Sequence, residues 1–137
     1  MRRTTILMLA SAVALAGGVA AAPAAAAKDG DVKLRGGCSA ASTYVAKARP
    51  RDGGRRIEFY VKNNTIGQAW TYTLTQGGTV VQTSTKVTRA TDDENSSSDD
   101  SRHTAEVKWR TTTNSTSGAL VMKAVNAKTG EVCSATA

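Results

Sequence analysis

The chain has 137 residues, with 18 Lys+Arg against 11 Asp+Glu and a formal net charge of +7. That length suits one domain and excludes a multi-domain enzyme. Aromatic residues make up 4% and there is one histidine, which leaves little from which to build a large apolar substrate pocket or a histidine-rich metal site.

Arg2 and Arg3 precede an apolar run from Ile6 to Ala22, and Ala25-Ala26-Ala27 follows it. A positive start, an apolar middle and a small-residue end predict a secretory signal peptide over 1–27, cleaved near Ala27 on the general export route. The run is rich in Ala and Gly and at the short edge of what crosses a bilayer. Cys38 lies beyond it after Arg35-Gly36-Gly37, which argues against a lipid anchor. A secreted, extracellular protein is therefore expected, with no membrane span in the mature chain. Removing Arg2 and Arg3 from the 18 basic residues leaves 16 against 11 acidic over 28–137.

Two cysteines remain in a chain bound for an oxidising compartment, and Cys38 and Cys133 are expected to pair within the molecule. The loop so closed is 95 residues (133 minus 38), for which chain entropy gives about 4 to 5 kcal/mol. The pairing predicts that the first and last strands lie side by side.

Between the cysteines the apolar residues alternate with period two, and no stretch sustains helical spacing, so the fold is predicted all-β. A strand through Tyr44 and Ala46 opens the series, and 28–49 fits one bent strand or two short ones. Ile57, Phe59 and Val61 alternate with Glu58, Tyr60 and Lys62. Trp70, Tyr72 and Leu74 alternate with Thr71, Thr73 and Thr75. Gln76-Gly77-Gly78 then turns the chain into a strand from Val80 to Thr88, on which Val81, Thr83, Thr85 and Val87 share a face; the two runs read as a hairpin. Ala105, Val107 and Trp109 alternate next. The run from Ala119 to Val125, apolar on both faces apart from Lys123, reads as a central strand, and Asn126 to Gly130 turns it into a last strand from Glu131 to Ala135. The count is seven, as in an immunoglobulin-like β-sandwich.

Lys123-Ala124-Val125-Asn126 with Gly130-Glu131, and Trp70-x-Tyr72-x-Leu74 with Gly77-Gly78, resemble the penultimate strand and the third strand of a fibronectin type III domain. The early tyrosine which that family carries in its penultimate strand is absent, with Gly118 or Ala119 near its place. With its Ala-rich leader, Thr-rich strands and terminal cysteines, the whole chain is similar to small secreted actinobacterial proteins of unknown function. The resemblance implies a single sandwich domain over 28–137 and an extracellular address, and it carries no catalytic residues.

Chemistry has few places to reside. Every Ser-His-Asp or Cys-His arrangement would pass through His103, which sits beside an acidic loop where a solvated histidine is the plain reading. There is no phosphate loop, HExxH or CxxC, so neither an enzyme nor a cofactor or metal is expected. The stretch Asp92-Asp93-Glu94-Asn95-Ser96-Ser97-Ser98-Asp99-Asp100 offers hard oxygens without calcium-loop spacing, and reads as a solvated, mobile loop over about 91–101. Asn63-Asn64-Thr65, Asn95-Ser96-Ser97 and Asn114-Ser115-Thr116 are formal glycosylation sequons that mainly mark loops.

The strongest electrostatic feature is basic: Lys47, Arg49, Arg51, Arg55 and Arg56 cluster around Pro50 and Asp52-Gly53-Gly54. With the acidic loop's five carboxylates set aside, 16 basic groups face 6 acidic ones, and one end of the sandwich is expected to attract anionic polymers. Outside an actinobacterial cell these are wall teichoic acids, anionic lipid head groups and stray nucleic acid. No aromatic residue interleaves with the arginines to stack bases, so nucleic acid is the least expected partner. The expected function is a non-catalytic binding or interaction module whose partner is a cell-wall polyanion or an extracellular protein. The alternative is a secreted inhibitor, with Arg49-Pro50-Arg51 as its stiffened loop, or a small-molecule carrier.

Overall fold

Alternating side chains can bury one face only if a second sheet covers it, and the chain solves this with two antiparallel sheets. A computed structural model describes residues 30–91 and 103–137; the expected signal peptide and all but the first residue of the expected acidic loop lie outside the described residues. The elements are β1 (Val32–Gly37), β2 (Thr43–Arg51), β3 (Gly54–Asn63), β4 (Ala69–Gln76), β5 (Thr79–Val87), β6 (Arg89–Ala90), β7 (Ala105–Thr113), β8 (Leu120–Asn126) and β9 (Val132–Thr136). One sheet has the order β1-β2-β3-β7-β6 and the other β5-β4-β8-β9. Among the described residues nine strands thus replace the seven expected. The additions are β6, two residues long, and β1, which answers the open question over 28–49 in favour of two strands.

The glycines that obscure β1 in the sequence are explained by its partner. Gly36 stands opposite Tyr44, and a Cβ there would lie 2.8 Å from the Tyr44 ring. The ring occupies the space that a side chain would fill, as aromatic residues do beside sheet glycines. Ala46, Ile57, Phe59, Val61, Trp70, Tyr72, Leu74, Val107, Trp109, Leu120, Met122 and Ala124 form the core. Of the six aromatic residues, five point inward; Tyr44, Phe59, Tyr72 and Trp109 stack in series with centroids 5.7, 5.4 and 5.1 Å apart. Such offset contacts add to simple area burial.

The disulfide is formed, Cys38 to Cys133. Its setting corrects one expectation: β1 and β9 are edge strands of different sheets and do not pair. The bridge clamps the two sheets at one side of the sandwich. Beside it the Ser39 amide donates to the Val132 carbonyl, the Val132 amide donates to Ser39 Oγ at 2.8 Å, and the Glu131 carboxylate accepts from the Ser42 amide and hydroxyl at 2.8 and 2.9 Å.

The two ends are closed by polar side chains. At one end Gln68 Oε1 accepts from Asn63 on β3 and Asn126 on β8, at 3.0 and 3.1 Å, joining the sheets. Thr88 Oγ1 accepts from the Gln68 amide and donates to the Thr65 carbonyl. Asn63 is therefore buried at the end of β3, while Asn64 and Thr65 of its sequon lie in the exposed loop that follows, as Asn114 does in its own. At the other end Gln76 Nε2 donates to the Ser115 and Ser117 carbonyls.

Candidate functional site

Strict alternation decides where each charge goes. On β2, Ala46 and Ala48 face the core, so Lys47, Arg49 and Arg51 face outward; on β3, Ile57 and Phe59 face the core and Arg56, Glu58, Tyr60 and Lys62 face outward. The registers align these with Lys33 and Arg35 on β1, with Lys108 and Arg110 on β7, and with Arg89 on β6. Ten of the fourteen Lys and Arg among the described residues thus share the outer face of one sheet. The carboxylates at outward strand positions are Glu58 and Glu106, and Asp31 contacts Arg49 at its rim.

The basic turn expected from the sequence is therefore one corner of a wider surface. Lys47, Arg49, Arg51 and Arg56 belong to that surface. Arg55 does not: paired with Pro50 on the inward side, it sends its guanidinium to the Gly118 carbonyl at 3.1 Å and to the Thr116 carbonyl. Arg55 ties β3 to the loop after β7, and it lines an open cleft of about 280 Å³ with Val32, Ala48, Pro50 and Ala137. The reason is parity. Arg55 and Arg56 are neighbours in sequence, so a strand must place them on opposite faces.

At the centre of the face stands Tyr60, the sixth aromatic residue, with Lys47 Nζ 5.2 Å and Lys108 Nζ 4.6 Å from its ring centroid. An aromatic side chain does interleave with the cations, which corrects the sequence reading. Two ammonium groups occupy its ring face, the favoured place for a cation, so the ring is not an open stacking platform. The Tyr60 hydroxyl donates to Glu58 Oε2 at 2.8 Å, and Glu58 Oε1 meets Arg56 at 3.1 Å and Arg110 at 3.5 Å.

These contacts set the protonation states. Partial burial raises the Glu58 carboxyl, but the Tyr60 hydrogen bond with Arg110, Lys47 and Arg56 together hold it below the usual carboxylate range. Burial, and then the hydrogen bond to Glu58, push the Tyr60 hydroxyl up to about 12. Burial lowers Lys47; Glu58 opposes this, while Lys33, Arg49 and Lys108 add to it. An anion laid on the face relieves that crowding of like charge.

The opposite sheet presents another chemistry. Its outward positions include Thr71, Thr73 and Thr75 on β4, Thr83 and Thr85 on β5, and Val121, Lys123 and Val125 on β8. Lys123 is the charge on the β8 part of this face, and Thr71 and Thr85 share a hydrogen bond of 2.8 Å. A bulge interrupts β5 beside Thr83: Leu74 pairs with Gln82 and Thr75 with Val80, leaving Val81 unpaired.

The other sequence candidates find no site around them. His103 is half-buried just before β7, and no group of three metal-ligating side chains occurs among the described residues. Arg49-Pro50-Arg51 is strand rather than loop, each residue paired across to β3, so the inhibitor reading loses the loop it required. No known protein family, no curated protein and no solved structure matches the chain.

Proposed function

We propose that this protein is a secreted, non-catalytic, immunoglobulin-like module that holds an anionic cell-envelope polymer, such as a wall teichoic acid, against the outer face of its five-stranded sheet. The observation that carries the reading is the segregation of ten cations onto one face, around a central Tyr60 already bracketed by Lys47 and Lys108. A flat lattice of cations holds a flexible polyanion through charge and counterion release without reading its substituents. With β1 set aside, β2-β3-β7-β6 against β5-β4-β8-β9 is the order A-B-E-D against C′-C-F-G, which supports the immunoglobulin-like type. The disulfide supports an oxidising, extracellular setting.

The test is co-sedimentation of the oxidised 28–137 chain with purified cell wall, with and without teichoic acid, over a range of salt. A flexible polyanion releases about 0.7 counterion per contact, so six contacts predict roughly 300-fold weaker binding for a fourfold rise in salt. Lys47→Ala with Lys108→Ala lowers the log–log slope by about 1.4, whereas Lys123→Ala on the opposite sheet leaves it unchanged. Binding that ignores salt, or that falls equally with Lys123→Ala, defeats the reading.

A further inference from the structure

The large apolar side chains exposed among the described residues are Ile66, Val80, Val81 and Val87. Three belong to β5. The fourth sits at its end, where the Gly67 amide donates to the Thr88 carbonyl and the Thr88 amide to the Gln68 carbonyl, both at 2.9 Å. β5 is an edge of its sheet, nine residues long, and pairs only with β4 among the described residues. Its hydrogen-bonding parity follows from Thr88: the even residues Gln82, Ser84 and Lys86 bond toward β4, so the amides and carbonyls of Thr83, Thr85 and Val87 point away from the sheet.

Edge strands are usually blunted by charge. The one charge on β5, Lys86, lies on the side facing the other sheet and donates to the Lys108 carbonyl at 3.0 Å; it blunts that side of the strand and leaves the row Thr83, Thr85 and Val87 uncharged. The bulge lies at Val80–Val81 and leaves Gln82 to Val87 regular. The remaining edges are less suited to a like-charged partner: β1 carries Lys33 and Arg35, the β7–β6 side carries Lys108, Arg110 and Arg89, and uncharged β9 is five residues long with the Val132 amide and carbonyl already bonded to Ser39. Two copies of a cationic domain repel one another along the β1 and β7–β6 edges and meet along the uncharged Thr83, Thr85 and Val87 of β5.

We propose that β5 is a homodimer interface, in which two copies pair their β5 strands antiparallel about a two-fold axis at Thr85 and form one continuous eight-stranded sheet. Every outward backbone group is then used: Thr85 pairs with its symmetry mate, and Thr83 of each copy pairs with Val87 of the other. The arrangement is self-complementary, as a two-fold interface must be, and it places Thr and Val side chains in the cross-strand positions they favour. The dimer does not depend on what the cationic face binds.

Sedimentation equilibrium of the purified, oxidised protein tests this, with thermal unfolding as the control for folding. A reversible dimer is expected at micromolar concentrations. Thr83→Lys with Val87→Lys sets lysines directly opposite each other twice and weakens the dimer about tenfold or more. Thr83→Glu with Val87→Lys sets opposite charges there and restores it. Both positions are exposed, with Val87 at 48%, so the monomer fold survives the changes. A monomeric native protein throughout the concentration range, a dimer indifferent to the lysine pair, or failure of the Glu/Lys pair to restore association overturns the proposal.

Discussion

Replacing both Cys38 and Cys133 by alanine acts mainly on the unfolded chain. The cross-link spans 95 residues, and removing it returns about 4.7 kcal/mol of loop-closure entropy to the denatured ensemble at 25 °C. In the native state the same junction keeps its hydrogen bonds, from Ser42 to Glu131 and between Ser39 and Val132, so the folded geometry has reason to persist. Cys133 is fully buried in the core, which is why alanine rather than serine is the clean replacement: a serine would add an unsatisfied hydroxyl. Against a typical stability of about 5 to 15 kcal/mol the loss is a large share. Urea unfolding followed by tryptophan fluorescence reads it directly, because Trp70 and Trp109 are both buried. For a slope of about 1.5 kcal/mol/M, the midpoint falls by about 3 M, and the slope itself rises as the released chain expands. A loss under about 1.5 kcal/mol with an unchanged slope refutes the reasoning, since it means that the denatured chain is held compact by something other than the bridge.

Two further outcomes follow from particular contacts. A Cβ at Gly54 would overlap the Thr113 carbonyl oxygen, so Gly54→Ala forces β3 and β7 apart at the base of the basic hairpin and costs about 2 kcal/mol or more, measured by the same urea titration. Because Glu58 is held below the usual carboxylate range, it stays ionised under mild acid; polyanion affinity at fixed ionic strength is level from about pH 5 to 8. The affinity then declines on the alkaline side sooner than ordinary lysines would allow, since Lys47 lies below 10.5. The same Glu58 shift stabilises the fold above the unfolded carboxylate range, and that contribution is lost as pH falls through the lower folded value. A rise in affinity between pH 6 and 5 in titration calorimetry would contradict this assignment.

The strands with clean alternation were legible in the sequence, from Ile57 to Lys62 and from Trp70 to Thr75, because each has one face on the core. What escaped did so for local reasons. β1 ends in two glycines, and its stability comes from the Tyr44 ring across from Gly36, a partner that no period-two pattern reveals. β6 is two residues long. The bulge at Val81 depends on register against β4 and so has no signature within β5 itself. The basic cluster is legible around its Asp52-Gly53 turn, but one-dimensional proximity groups Arg55 with Arg56, while the pleat separates them. The larger surface needed strand order, because Lys33, Lys47, Glu58 and Arg110 come from four separate segments and become neighbours only through the β1-β2-β3-β7 ladder.

Sandwich domains commonly carry function on the loops at their ends, and in this chain the ends are otherwise engaged. At one end Gln68, Asn63, Asn126 and Thr88 spend their side chains joining the sheets; at the other, Arg55 and Gln76 hold the carbonyls of Thr116, Gly118, Ser115 and Ser117. One side is closed by the disulfide. Among the described residues, what remains for contact is the two broad faces and the β5 edge, and these differ in kind: one face is a lattice of cations, the other is hydroxyl and methyl surface, and the edge is unpaired backbone flanked by valine. Charge of one sign confined to one face repels like molecules there and leaves the neutral edge free to associate. Polymer binding and self-association are therefore separable, and a variant that loses one keeps the other.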